Sequence, residues 1–204
     1  MRATDEDPFS IEIFYPSYFE GQYSYIKPRI LIEFGIRGDN FPSERITITS
    51  YIHQHIPELD RLNVSASVLS PTRTFFEKAT LLHAEYNRPV DKPTPERLSR
   101  HFYDVYQLAN RRGYLNAAMQ EMDLLKTVIK NKETFFPSAW AKYDQIFQEG
   151  IHLLPGDRLK EIEEDYKKME QMFFNAKAIP SMKEILLKLE EIETQLNKKL
   201  IKKP

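Results

Sequence analysis

Two residues of this chain, a lysine and an aspartate, have the types and spacing best suited to chemistry on a phosphorylated ligand. Lys78 lies in the stretch TFFEKATLLHAEY (74–86). Asp104 lies in the stretch RLSRHFYDVYQLANRRG (97–113). A lysine ammonium suits phosphate as a mobile point charge, whereas a carboxylate can bind a metal ion, contact a ribose hydroxyl or orient a neighbouring group. Only a Pro-rich segment (88–96) separates the two stretches, so we expect neighbouring antiparallel helices that open onto one groove.

Both residues also have ordinary structural interpretations. Lys78 lies beside the apolar stripe of its helix, where a lysine often covers the core with its stem and keeps its ammonium in water. Asp104 follows Arg100 and His101 by four and three residues, so it can form a surface ion pair worth about 0.5 kcal/mol. Tyr103 is more often a core or groove-lining aromatic than a platform for a base. Spacing alone favours these structural interpretations.

A third acid, Glu33, lies inside the apolar run ILIEFG. If Ile32 and Phe34 face the core, Glu33 points to the other face of its strand, where a solvent-exposed role and a functional role are equally compatible with the pattern. His53 and His55 would share a strand face, but no third ligand is suitably spaced for zinc. We therefore predict no metal site in this chain.

Composition excludes several classes of protein. The 204 residues carry 29 Lys and Arg against 30 Asp and Glu, so bulk charge gives no argument for a nucleic-acid or membrane partner. The absence of cysteine excludes a disulfide scaffold, a thiolate metal site and a cysteine nucleophile, and it fits a reducing cytosol. No signal-peptide pattern is visible, and no apolar run approaches the ~20 residues of a membrane span. We expect a cytoplasmic protein.

The periodicity of apolar residues changes near residue 70, which predicts an α+β fold. Four short runs before this point predict strands that form a small sheet: IEIFYPS (11–17), PRILIEFGI (28–36), RITITSYI (45–52) and NVSASVL (63–69). Helical patterns follow the two stretches above at about 114–131, 137–149, 157–176 and 181–200. We therefore predict a β-rich part of a domain at 1–70 and a helical domain, a bundle of at least five helices, at 71–204.

Capping residues predict three helix starts. Ser70 precedes Pro71, and Ser181 forms a capping box with Glu184. Residues 94–96, Thr-Pro-Glu, open the second helix in the same way as Ser70 opens the first. The apolar stripes predicted to face the core are Phe75, Ala79, Leu82 and Tyr86; Leu98, Phe102, Val105 and Ala109; and Met182, Ile185, Leu189, Ile192 and Leu196.

The order of these motifs resembles the C-terminal half of the AbiEii/AbiGii nucleotidyltransferase toxin family. FFEKATLLH matches the lysine helix of that family, and SRHFYDVYQL matches its Arg-Asp-x-x-Asp-x-Tyr helix, with His101 in place of the first acid. The strand pair IEIFYPS and KPRILIEFG and the segment LPGDRLKEIEEDYKKMEQMFF are also similar, so the resemblance covers most of residues 10–197. It implies that the sheet is the remnant of a nucleotidyltransferase-like sheet.

The resemblance implies roles for individual residues. Lys78 and Asp104 would be catalytic, and Glu33 lies where some nucleotidyltransferases place a third carboxylate. The intact family uses Mg²⁺ and an NTP to transfer a nucleotide to an RNA or protein target such as tRNA, within bacterial toxin–antitoxin and phage abortive-infection systems. The nucleotide contacts implied for this chain are Lys78, Arg100, His101 and Tyr103.

This sequence departs from the family at the metal-binding motifs. No Gly-Ser pair occurs, and the only Asp-x-Asp is Asp5-Glu6-Asp7 at the terminus. Nucleotidyl transfer requires carboxylates that hold a metal ion against the triphosphate. We therefore expect a shortened family member that is inactive alone and takes no cofactor of its own.

Three functional hypotheses follow. The first is the C-terminal part of a nucleotidyltransferase toxin whose catalytic strands lie upstream or on another polypeptide. The second is a non-catalytic binding protein that pairs with a cognate antitoxin. The third is a helical interaction domain with accidental motif matches. Because a shortened sheet leaves an unpaired edge and an apolar face, we also expect self-association through the sheet or a tight partner.

Overall fold

The computed structural model of the protein describes residues 2–3, 9–16, 27–35, 38–51, 55–56, 58, 63–173 and 179–201. The predicted α+β class is confirmed, because the last described strand ends at Leu69 and the first helix begins at Pro71. The Asp-x-Asp motif at 5–7 and His53 lie outside the described residues. The division into domains at residue 70 stays a prediction.

The strands form two small antiparallel sheets rather than one. The strands are β1 Arg2–Ala3, β2 Ser10–Phe14, β3 Arg29–Glu33, β4 Ser43–Ile48 and β5 Val64–Leu69. The first sheet has the strand order β1-β2-β3, and the second pairs β4 with β5. Their registers place Glu12 opposite Leu31 and Ile46 opposite Ala66.

Both faces of the first sheet expose apolar side chains. On β3, Ile30 is 53% exposed and Leu31, on the opposite face, is 43% exposed. Ile32 and Phe34 are 38% and 56% exposed, so the condition that would place Glu33 opposite a core-facing side of the strand is not met. Within the described residues, no strand residue joins the hydrophobic core. Among the described residues, the sheet therefore shows no inner face that would make Glu33 an outward residue.

Seven α-helices follow in the described chain, so the expectation of at least five is confirmed. The predicted helix at 114–131 is divided at Glu121, whose φ of −103° and ψ of 43° are not helical. The predicted helix at 137–149 is helical only from Tyr143 onward, first as a 3₁₀ turn. The α-helices are α1 Pro71–Tyr86, α2 Ser99–Asn110, α3 Tyr114–Gln120, α4 Met122–Phe135, α5 Ile146–Glu149, α6 Leu159–Met169 and α7 Met182–Leu200.

The hydrophobic core lies between the helices. Every residue of the three predicted apolar stripes is buried except Tyr86, which is 41% exposed. The ring of Tyr86 stacks on His152 instead, with 4.2 Å between the ring centroids. Ser70 accepts a hydrogen bond from the Arg73 N–H, and Ser181 closes its capping box, so both predicted caps are confirmed. No helix in the described part of the chain is long and apolar enough to cross a membrane.

The predicted start of α2 at residues 94–96 is wrong. The helix begins at Ser99, because Arg97 has a positive φ of 62° that interrupts helical geometry. The Asp165 carboxylate of α6 accepts hydrogen bonds from the backbone N–H groups of Arg97 at 3.0 Å and Ser99 at 2.9 Å. A carboxylate distant in sequence therefore satisfies the first backbone N–H group of the helix and the N–H group of Arg97 just before it.

Arg73 connects the first turn of α1 to the segment before β4. Its side chain is fully buried, and Nη1 donates to the Asp39 carboxylate at 2.9 Å and to the Phe41 carbonyl. Its Nε donates to Glu77 of the same helix at 2.9 Å. Because Glu77 precedes Lys78, this connection also positions the helix turn that carries the candidate lysine.

Candidate functional site

Lys78 reaches from α1 to α2, where it meets two polar side chains. Its Nζ lies 2.9 Å from His101 Nδ1 and 3.4 Å from Asp104 Oδ2. His101 Nδ1 and Asp104 Oδ2 are 3.6 Å apart, so the three side chains form one cluster. Asp104 therefore pairs with Lys78 across the two helices and with His101 on its own helix. We call these three residues the lysine cluster.

Packing between α1 and α2 positions the lysine cluster. Ala79 and Phe102 are buried in the core, and each directly follows a cluster residue, Lys78 or His101. Val105, which follows Asp104, is also fully buried. Successive helix residues differ by about 100° in direction, so the cluster side chains lie at the edge of the helix interface. That edge remains open, because the side chains of Lys78 and Asp104 are 28% and 39% exposed.

The cluster holds Asp104 in its ionised form. Partial burial alone would raise the pKa of Asp104, but His101 and the charge of Lys78 together lower that pKa below its usual value. Nδ1 of His101 faces both Lys78 Nζ and Asp104 Oδ2, so its role as acceptor from the ammonium or donor to the carboxylate depends on the tautomer of the imidazole.

The other residues that the sequence singled out are arranged differently. Arg100 is exposed on α2. Tyr103 is half-buried and packs edge-to-face on Phe173, with 5.1 Å between the ring centroids. Glu33 is exposed on β3, and no contact described in the structure joins it to Lys78. The implied catalytic role of Glu33 and the implied nucleotide contacts therefore stay predictions, and the geometry unites only the lysine cluster.

Lys132 of α4 is a neighbour of this site that the sequence analysis missed. Burial lowers the pKa of Lys132; Glu77 opposes this shift, and the positive charges of Lys78 and Arg73 add to it. These mutual effects place Lys132 beside the α1 face that carries Arg73, Glu77 and Lys78. No motif in the sequence marks Lys132, because its position depends on how α4 packs against α1.

The described residues do not offer a site for a divalent metal ion. No three His, Asp or Glu side chains among them lie close enough together to hold one. Mg²⁺ is bound by several oxygen ligands, whereas the Asp104 carboxylate is already paired with an ammonium. The lysine cluster instead offers a cation, an imidazole and a carboxylate, which suit phosphate oxygens and hydroxyl groups.

Fold and site together define an α+β protein in which neighbouring helices join a lysine to a carboxylate at an open edge. The family model of the nucleotidyl transferase AbiEii toxin, from type IV toxin–antitoxin systems, matches residues 2–188. The chain therefore belongs to this family. No curated protein and no solved structure matches the chain.

Proposed function

We propose that this chain contributes the lysine and aspartate half of a nucleotidyl transfer site in an AbiEii-type toxin. The observation that carries this proposal is the lysine cluster, in which two family motifs from separate helices meet within 3.4 Å. Family membership supports the reaction class, since the matching family is described as a nucleotidyl transferase toxin.

In this proposal Lys78 contacts a phosphate oxygen of the nucleotide. An ammonium has three N–H donors, and two of those on Lys78 are directed at His101 and Asp104. The third can donate to a phosphate oxygen at the open edge of the cluster. Asp104, kept ionised by its neighbours, accepts a hydrogen bond from a hydroxyl of the nucleotide or of the target. His101 and Asp104 together orient the ammonium.

The metal-binding half of the reaction is proposed to come from a separate segment, in cis or in trans. The sequence has no Gly-Ser pair, and its only Asp-x-Asp lies at 5–7. Lys78 and Asp104 can bind phosphate and hydroxyl groups, but they cannot replace carboxylates that hold a metal ion against a triphosphate. We therefore propose that this chain alone does not transfer nucleotides.

A reconstitution assay tests this proposal. The purified chain is incubated with labelled NTPs, Mg²⁺ and candidate RNA or protein targets, first alone and then with a family segment that carries the Gly-Ser and Asp-x-Asp motifs. We expect no incorporation by the chain alone and incorporation after the segment is added. Lys78→Ala and Asp104→Ala should each abolish the restored activity.

A second lysine–aspartate pair provides the matched control. Lys126 and Asp123 pair at 2.7 Å on the exposed face of α4, and both side chains are mostly exposed. Lys126→Ala and Asp123→Ala should leave the restored activity unchanged. Efficient transfer by the isolated chain would contradict the proposal that a separate segment holds the metal ion. Restored activity that survives both Lys78→Ala and Asp104→Ala would contradict the assignment of the site.

The exposed apolar faces of the two sheets favour a second candidate function, a non-catalytic protein that binds a cognate antitoxin. Family membership implies such a partner. Calorimetric titration with the antitoxin encoded beside this gene distinguishes the two functions. A binding-only protein should bind the antitoxin equally well after Lys78→Ala and should gain no activity from the added segment.

A further inference from the structure

β3 forms one edge of the first sheet in the described part of the chain. Its inner edge pairs with β2, in a register that places Leu31 opposite Glu12. Hydrogen bonds from Phe34 N–H to the Phe9 carbonyl and from Tyr15 N–H to the Pro28 carbonyl extend this ladder at both ends. In an antiparallel ladder, alternate residues direct both backbone groups at the partner. Residues 28, 30, 32 and 34 therefore face β2, and residues 29, 31 and 33 direct their backbone groups outward.

The outward residues of β3 are self-complementary. If a second β3 lies antiparallel with Leu31 opposite its own copy, Arg29 lies opposite Glu33 and Ile30 lies opposite Ile32. Every charged residue of the strand then faces an opposite charge, and every apolar residue faces an apolar one. A register centred on Ile30 would pair Glu33 with Lys27, which precedes the strand, but would place Arg29 opposite Leu31. Only the register centred on Leu31 gives both charged residues of β3 an opposite charge, so charge complementarity favours it.

The surroundings of β3 fit the same arrangement. Ile30 and Ile32 are 53% and 38% exposed. An exposed apolar edge strand favours pairing with another chain. Glu33 has no ion pair or side-chain hydrogen bond among the described residues, while Arg29 pairs with Glu12 at the other end of the strand. Antiparallel pairing about Leu31 would give Glu33 a cation and cover apolar surface on both faces.

We infer that two copies of this chain associate through β3, about a two-fold axis at Leu31, to form a continuous six-stranded sheet. This interface is isologous and closed, so it predicts a dimer and not a filament. Backbone hydrogen bonds would join Leu31 to its copy and Glu33 N–H to the Arg29 carbonyl in both directions. The Arg29 N–H is already satisfied by the Lys27 carbonyl at 2.8 Å and adds none. The inference is independent of the proposed transfer reaction.

Cysteine cross-linking tests the register, because the chain contains no cysteine. Residues opposite each other in a hydrogen-bonded antiparallel pair have Cα atoms about 5.5 Å apart, within the range of a disulfide. Leu31→Cys should therefore form a covalent dimer under mild oxidation. Glu33→Cys is the matched control, since the two copies of residue 33 would lie about 14 Å apart along the strands.

Charge exchange tests the partner. Glu33→Arg places two arginines opposite each other, and Arg29→Glu places two glutamates opposite each other, so each variant alone should be monomeric. Mixing the two variants restores opposite charges at both ends of the interface, and a heterodimer should form. Glu44→Arg, on an exposed position of β4, should leave the dimer unchanged. Mass is measured by light scattering during gel filtration across a dilution series, and circular dichroism confirms that each variant is folded.

Several outcomes would overturn the inference. One is a monomeric native chain at every concentration. Others are more efficient cross-linking of the Glu33→Cys variant than of the Leu31→Cys variant, or a dimer that persists in Glu33→Arg. A last outcome is a native chain that associates only with a different, added protein, while Glu33→Arg remains folded. In that case β3 serves a different partner, and the two-fold pairing is wrong.

Discussion

The helical and β-rich regions meet the need to bury apolar surface in opposite ways. In the helical region Leu125, Ile185 and Leu189 are fully buried, and side chains from all the longer helices contribute to one core. In the β-rich region Ile30 and Val64 are 53% and 60% exposed. The helices thus supply their own core, whereas the described strands leave apolar area to water that an additional layer or strand would cover.

Backbone groups in the helical region are also satisfied internally, by side chains that are distant in sequence. The Asn197 side chain of α7 accepts from the Ile151 N–H at 2.7 Å and donates to the Ile151 carbonyl at 3.0 Å. Glu193 accepts from the Leu153 N–H at 2.6 Å. These contacts fasten an irregular segment onto a helix. We therefore expect the helical region to determine the stability of the isolated chain.

The largest effect should come from truncating a core residue of the helical region. Leu189→Ala should lower the free energy of unfolding by about 3 kcal/mol, because it leaves a cavity among buried helices. Ile32→Ala, on the exposed sheet, should cost less than about 1 kcal/mol in the isolated chain. Urea denaturation of both variants measures the difference. Equal costs would show that the sheet has its own buried core.

A comparable effect should follow from protonation of His83. Burial lowers the pKa of His83 to about 4; the Lys142 carbonyl opposes this and His152 adds to it. Since an unfolded histidine has a pKa near 6.5, protons favour the unfolded chain below that pH. The contribution of His83 to the free energy of unfolding should be fully present above about pH 6.5. It should fall by about 3 kcal/mol as the pH approaches 4.

Urea denaturation across pH 4–7 measures this loss. His83→Gln should lessen the dependence on pH, whereas His55→Gln, at an exposed position, should leave it unchanged. If the free energy of unfolding of His83→Gln depends on pH as strongly as that of the native chain, protonation of His83 is not the cause of the loss.

The connection between the two regions should be sensitive to Arg73. Arg73→Ala removes a fully buried guanidinium from Asp39 and Glu77, whose side chains are partly exposed. The expected loss is about 2 kcal/mol, below the 3–5 kcal/mol for a wholly buried pair, because water can reach both acids. Arg45→Ala is the control, since Arg45 makes an exposed hydrogen bond to Ser65. A loss equal to that of the control would mean that Arg73 does not secure the connection.

A smaller effect should follow from removing the distant cap of α2. Asp165→Ala leaves the N–H groups of Arg97 and Ser99 without their acceptor, and it should cost about 1 kcal/mol. Glu164→Ala, at an exposed position of the same helix, should be nearly neutral. Thermal unfolding of the two variants distinguishes them, and similar melting temperatures would show that α2 is capped in another way.

The smallest stability effect should come from the lysine cluster. The Lys78–Asp104 pair is partly exposed, so Asp104→Asn should cost less than about 1 kcal/mol near pH 7. Because the folded pKa of Asp104 is lowered, the pair stabilises the protein above the unfolded pKa near 4 and is lost as the pH falls through the folded value. The difference from the native chain should therefore vanish in acid, and a difference that persists there would implicate packing.

The sequence by itself determined the fold class, the four longer strands, the capped starts of α1 and α7 and almost every buried stripe residue. These features depend on local periodicity and capping, which a short window contains. It also placed Lys78 and Asp104 on consecutive helices. Their meeting with His101, and the proximity of Lys132, required the packing of three helices.

Only the tertiary structure decided where α2 begins and how the strands are paired. The cap of α2 comes from Asp165, so no local pattern could locate its start. The alternation of side chains in β3 is compatible with one buried face, which the described residues do not cover. Alternation shows which side chains favour burial, but it does not show which surface would cover them. Burial of a strand face requires a partner surface, and the local sequence of a strand does not contain that surface.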